Sequence, residues 1–275
     1  MGTRSSSSSM HGIADRATDS DAFEYTARAG FAASGVLHLL LGYIIGRLAF
    51  TGGGNADQSG ALAELGSQTG GAILLWIAAV GLVALGLWRV AEAVIGAKPG
   101  EGSGGKGDNP AWKRGKSLGL AIVNFAIALS AARFAMGTGQ SSSQQNSGLS
   151  ATLMQSGWGK ALLIAVGLGV IAVGGYHIYK GATQKFFDEL RVSGGTAITA
   201  IGTIGYVAKG LVLAGAGLLV ILATLQADPA KASGLDAAVK TLGQAPFGKF
   251  LLIAAALGIA AFGAYSFVRS RYNRM

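Results

Sequence analysis

Lys209, His38 and Asn124 carry polar chemistry inside runs of apolar residues. An amine, an imidazole and a carboxamide in such places can hold a proton, an anion or one another, which makes ionisable groups within a membrane span candidates for function. Lys209 reads as about two helical turns inside its segment, within snorkelling reach of lipid headgroups. A buried contact with a substrate, a headgroup or Glu92 is the alternative. His38 and Asn124 lie deeper, where the plain reading is a hydrogen bond between helices and the sharper one a polar path through a bundle. Arg47 and Arg133 stand near segment ends and read as interfacial anchors.

Other chemistry is missing. No Asp or Glu lies deep in an apolar run, which argues against a proton or sodium pump built on membrane carboxylates. The chain holds no His-Glu-x-x-His, no Gly-x-Ser-x-Gly and no Gly-x-x-x-x-Gly-Lys-Ser/Thr. The glycines at 102–107 share only composition with a phosphate loop and read as a linker. Ligands to one haem iron need matching depth, yet His38 lies ten residues from Arg28, about 15 Å, and His177 three from Lys180, about 5 Å. With no cysteine there is neither a disulfide framework nor a thiolate site. No catalytic residue, metal or cofactor is expected, and the chain reads as not an enzyme.

The elements that carry these residues are membrane spans. The 275 residues are 51% hydrophobic and 13% charged, about half the charge of an ordinary soluble domain. Six apolar runs reach the length needed to cross a bilayer, at roughly 29–50, 71–91, 117–136, 161–179, 200–225 and 249–268. Between Ile73 and Trp88, or Leu211 and Leu225, no helix face carries a charge, which excludes a soluble bundle. The first 27 residues are Ser-rich and mixed in charge, so a cleavable signal peptide is not expected.

The spans repeat. Gly81-Leu-Val-Ala84-Leu-Gly86-Leu-Trp88, Gly169-Val-Ile-Ala172-Val-Gly174-Gly-Tyr176 and Gly258-Ile-Ala-Ala261-Phe-Gly263-Ala-Tyr265 share one pattern, 88 and 89 residues apart. Four residues after each aromatic comes a charge: Glu92, Lys180 and Arg269. Ser59-Gly60, Ser147-Gly148 and Ser233-Gly234 open a short piece upstream of each signature, 28, 28 and 31 residues before its aromatic. The extra three are expected as a loop insertion near Ala245-Pro246-Phe247, and Ser59 as a helix cap. Another apolar run starts around Gly35, Gly119 and Gly210. The expected fold is an all-α membrane protein of six transmembrane helices in three parallel two-helix repeats with pseudo-threefold symmetry, with short interfacial helices in the hairpins. Small residues let membrane helices approach closely, so Gly81, Ala84, Gly86, Gly169, Ala172, Gly174, Gly258, Ala261 and Gly263 are expected at helix contacts.

Charge sets the orientation. The N-terminal tail, the 88–116 loop, the 180–191 loop and the C-terminus hold 3, 6, 3 and 3 Lys or Arg. The hairpins carry only Lys160, Lys231, Lys240 and Lys249. Both termini therefore read as cytoplasmic, with Trp88, Tyr176 and Tyr265 as aromatics at the inner interface. The net charge of +9 follows the membrane and gives no reason to expect nucleic acid. The domains read as a tail (1–24), repeat 1 (25–97), a Gly/Pro-rich linker (98–112), repeat 2 (113–192) and repeat 3 (193–275).

The triplicated unit, Lys209-Gly210, Lys185-Phe186 and the closing Phe262-Gly-Ala-Tyr265 with Arg271-Tyr272 resemble the bacterial integral membrane proteins of domain of unknown function family 1206. The resemblance covers about residues 25–274, and the second unit departs from it in lacking an equivalent of Lys209. It implies six spans in three repeats and a plasma-membrane location, and no activity. From the residues two functions follow. One is a non-catalytic scaffold or accessory subunit whose helix faces pack on another membrane protein or a second copy and whose basic loops meet anionic lipid. The other is a small-solute channel or carrier along the pseudo-threefold axis.

Overall fold

The computed structural model describes residues 21–52, 54–95, 110–192 and 195–273. Among them lie nine α-helices: α1 (Asp21–Thr51), α2 (Gln58–Ser67), α3 (Gly71–Ile95), α4 (Pro110–Ala135), α5 (Ser142–Met154), α6 (Gly157–Ala182), α7 (Thr196–Leu225), α8 (Leu235–Gln244) and α9 (Gly248–Tyr272). Short 3-10 turns occupy Lys185–Glu189 and Lys231–Ser233. Six helices, α1, α3, α4, α6, α7 and α9, are long and apolar enough to span a membrane, as the six apolar runs require. Most of the tail and of the 98–112 linker, and the side chain of Glu92, lie outside the described residues.

The closest helix pairs join different repeat units: α3 with α4, α6 with α7, and α9 with α1. The second glycine of each signature makes the contact. A Cβ on Gly86 would stand 2.7 Å from the Phe125 ring, one on Gly174 2.6 Å from the Gly210 carbonyl oxygen, and one on Gly263 3.0 Å from that of Gly35. At Gly174 the neighbour is backbone and only glycine permits the approach; dispersion between helices this close replaces the hydrophobic drive that lipid does not supply.

The first signature glycine behaves differently in each unit. Gly258 is covered by the Ala208 methyl, because α9 packs on α7 within the third unit. Gly81 and Gly169 have open space, and Ala84 and Ala172 beside them are exposed, so the contact expected at these four positions is not made among the described residues. The cause is a ring that does not close: α3 leans lightly on α1, and α4 and α6 barely touch. The spans follow one another in space as α6, α7, α9, α1, α3, α4.

At the hairpin end the three units are tied by polar groups. Ser143 Oγ lies 3.0 Å from Asp57 Oδ2 and 3.2 Å from Asp236 Oδ2, placing one hydroxyl between carboxylates of the other two hairpins. Asp236 also accepts from the Ala56 N–H at 2.7 Å and from Lys240 Nζ at 2.8 Å. Ser59 is not the cap of α2. Asp57 is, accepting from the Gly60 N–H at 2.9 Å, while Ser59 Oγ donates to Asp57 and accepts from the Ser142 N–H. The extra three residues of the third hairpin lengthen the stretch of α8 after Gly234, since 68–70 and 245–247 are equally short links.

Candidate functional site

The polar residues of the spans meet in part. His38 Nδ1 lies 2.7 Å from the Ser34 carbonyl oxygen, which can only accept, so Nδ1 carries the ring proton. Nε2 is left as an acceptor, and Lys209 Nζ donates to it at 3.2 Å. The ammonium also stands 4.0 Å over the Phe262 ring, a cation–π contact, and Phe262 packs on the imidazole at 4.7 Å between centroids. An amine from α7, an imidazole from α1 and an aromatic from α9 thus close on one another.

This corrects the snorkelling reading of Lys209. The helix begins at Thr196, so Lys209 is 13 residues in, about 20 Å along the axis, and its amine turns to His38. Asn124 does not join them: it is half-buried on α4, which packs on α3. Arg47 pairs with Glu64 of α2 at 3.3 Å.

The end of the bundle that carries the termini is locked by a second cluster. Lys180 and Arg269, the charges four residues past the second and third signature aromatics, both close on Glu189, Arg269 at 3.2 Å. Sequence reasoning flagged the two cations and missed the carboxylate. Their equivalence in the repeat was the available signal, since two symmetry-related cations near one axis need a shared anion. Arg269 also lies over the Phe31 ring at 4.3 Å and Lys180 over Tyr206 at 4.9 Å. The Lys185–Glu189 turn tucks Phe186 into a cage with Tyr206 and Tyr265 and, through Tyr206, Phe262. Outside the spans, a hydrogen bond to Tyr179 raises the Lys185 ammonium above its ordinary value.

The signature aromatics therefore differ. Tyr265 is fully buried and donates to the Phe186 carbonyl at 3.1 Å, so it belongs to the protein interior and not to a lipid interface. Tyr176 is exposed and Trp88 half-buried. Ala261 is half-buried beside Phe262. Among the described residues no cluster of three or more His, Cys, Asp or Glu could hold a metal ion.

Six spans, three repeats and an internally satisfied polar site define a class of helical membrane protein. The model of the Domain of Unknown Function (DUF1206) family matches at residues 29–96, 116–184 and 204–273, and the chain belongs to that family. An uncharacterised Bacillus subtilis (strain 168) protein, YxxB, is 29% identical over 253 residues, 90% of either chain. No solved structure matches. Gly35 and Gly210 are buried at helix contacts, and in the second unit the buried Ala121 takes this place rather than Gly119. Gly119 indeed has open space, and Phe125 meets Gly86 instead. Ser34 precedes Gly35 as Lys209 precedes Gly210, and α4 carries no Lys or Arg between Lys116 and Arg133, so the amine is particular to the third unit.

Proposed function

We propose that this protein is a non-catalytic scaffold or accessory subunit of a complex in the bacterial plasma membrane, with both termini in the cytoplasm. The observation that carries the reading is the closure of Lys209 on His38 and Phe262. The one amine deep in the described spans is spent on contacts between helices. The outward face of α3, with Gly81 and Ala84 open, is the surface offered to a partner helix. The excess of Lys and Arg at the terminal end supports the orientation.

The test is affinity purification from the native membrane in mild detergent, with every co-eluting protein identified by mass and stoichiometry. A stoichiometric partner that Gly81→Leu releases supports the reading. A lone protein that drives solute flux into liposomes, lost in Lys209→Ala, replaces it with the carrier. That alternative needs Lys209, His38 and Asn124 on one cavity, and Asn124 stands apart from the other two.

A further inference from the structure

We infer that the seam between α4 and α6 is a joint that closes, α4 moving onto α6 until Gly119 meets Gly169. The repeat defines the joint. Across units Gly263 stands against Gly35 and Leu39, Gly174 against Gly210 and Ala214, and Gly86 against Phe125. Leu39, Phe125 and Ala214 come four residues after Gly35, Ala121 and Gly210, so these three correspond. Gly30 and Gly205 come five before them, with Lys116 in the second unit, and Ala33 and Ala208 two before, with Gly119. Contacts inside the units obey the same count: Gly30 meets Leu85, Gly205 meets Phe262, and Leu85 and Phe262 each stand four residues past the first signature glycine.

Three copies of this joint stand at three openings. In the third unit it is shut: a Cβ on Gly205 would stand 2.6 Å from Phe262 Cα, and Ala208 covers Gly258. In the first it touches at one point, where a Cβ on Gly30 would stand 3.6 Å from Leu85, while one on Gly81 would meet nothing within 4 Å. In the second it is open. Gly119 and Gly169, the counterparts of Ala208 and Gly258, are both exposed, and a Cβ on either would meet nothing within 4 Å. A glycine inside a helix weakens it, and a facing pair offsets that only when the two backbones come together. This pair is smaller than the alanine and glycine that shut the third unit, so it admits at least as close an approach.

What holds the joint open is Lys116, in the place of Gly205. The third unit shuts because no side chain stands between Gly205 and Phe262. The second puts a long stem and an ammonium there, opposite Val173 in the place of Phe262. Lys116 lies two residues past Arg114, the first residue of the α4 span, so its charge reaches the headgroups and its stem must bend aside before the seam shuts. Little else resists. α3 and α4 move as one pair, since they pack on each other while α3 leans only lightly on α1. The pivot is the hairpin end, where α5 joins α4 to α6 and is bonded to both other hairpins. The seam is therefore filled by α4 of the same chain, as α7 fills its counterpart on α9.

The test is the distance between spin labels on Leu118→Cys and Leu168→Cys, exposed positions of α4 and α6 in a chain with no other cysteine, read in lipid nanodiscs with unlabelled protein in excess. Two separations are expected. The shorter should be lost in Gly169→Leu, which blocks the contact and touches nothing in the open arrangement, and should grow at the expense of the longer in Lys116→Ala. Independently, Gly119→Cys/Gly169→Cys should oxidise to a disulfide within one chain, a bond that needs Cα atoms about 4.4–6.8 Å apart. Gly119→Cys/Gly175→Cys should not, since Gly175 lies about 9 Å further along the helix. An unchanged unfolding temperature checks that each variant is folded. One separation common to the wild type and both variants overturns the proposal, as does a disulfide that links two chains instead of one.

Discussion

Gly174 and Gly210 face each other reciprocally: a Cβ built on the first would stand 2.6 Å from the carbonyl oxygen of the second, and one on the second 2.5 Å from that of the first. Either side chain would strike backbone, which cannot swing away. Gly174→Leu and Gly210→Leu should each cost about 3 kcal/mol or more of stability in mild detergent, toward the upper end for overpacking. Gly169→Leu, in open space, should stay within about 0.5 kcal/mol. Thermal unfolding of the three variants side by side checks the ranking, and equal losses would refute the assignment of the second glycine to the contact.

Lys209 and His38 join helices from the third and first units through one hydrogen bond. A double-mutant cycle with Lys209→Met and His38→Leu should return a coupling of about 0.5–1.5 kcal/mol, the range for polar pairs between membrane helices. Additive single effects would show that the pair does not hold α1 to α7.

Glu189 is shared by Lys180 and Arg269. Because the carboxylate is partly exposed, Glu189→Gln should cost only about 1–2 kcal/mol. Its clearer sign should be faster proteolysis within residues 185–191, as the turn loses its two anchors. Cleavage at the wild-type rate would show that Phe186 and Tyr265 hold the turn without the charges.

Ser143 stands between Asp57 and Asp236. Ser143→Ala removes the shared donor from two buried carboxylates and should destabilise by about 1–3 kcal/mol, while Ser150→Ala, which loses one bond to the Ala232 carbonyl, should cost about 1 kcal/mol. Chemical unfolding that ranks the two alike would mean the hairpins are held by packing alone.

The spans were legible because a bilayer demands long apolar runs, and the repeat because its glycines and aromatics fall at fixed offsets. Helix pairing was not. Gly81 and Gly86 are equally small, and only the neighbour brought up by the fold decides which one is filled. The depth of Lys209 was misjudged because Thr196 and Thr199 disguise the first turn of α7 as loop. Lys209 and His38 could be nominated singly, but their meeting depends on Phe262 setting α9 between α1 and α7. The Ser/Gln-rich stretch 138–147 carries no charge, so nothing in its composition announces that Ser143 binds the charges of the other two hairpins.

The closest pairs, α3 with α4, α6 with α7 and α9 with α1, all cross from one unit to the next, and the last of them has no covalent link at all. A single two-helix unit made alone would find its partner only in another chain. Three such chains in a ring would reproduce every one of these contacts, so the fold has the anatomy of a trimer fused end to end. Joining the present ends and opening the chain at 193–194 should therefore leave the same molecule standing, with its seam of synthesis moved one unit around.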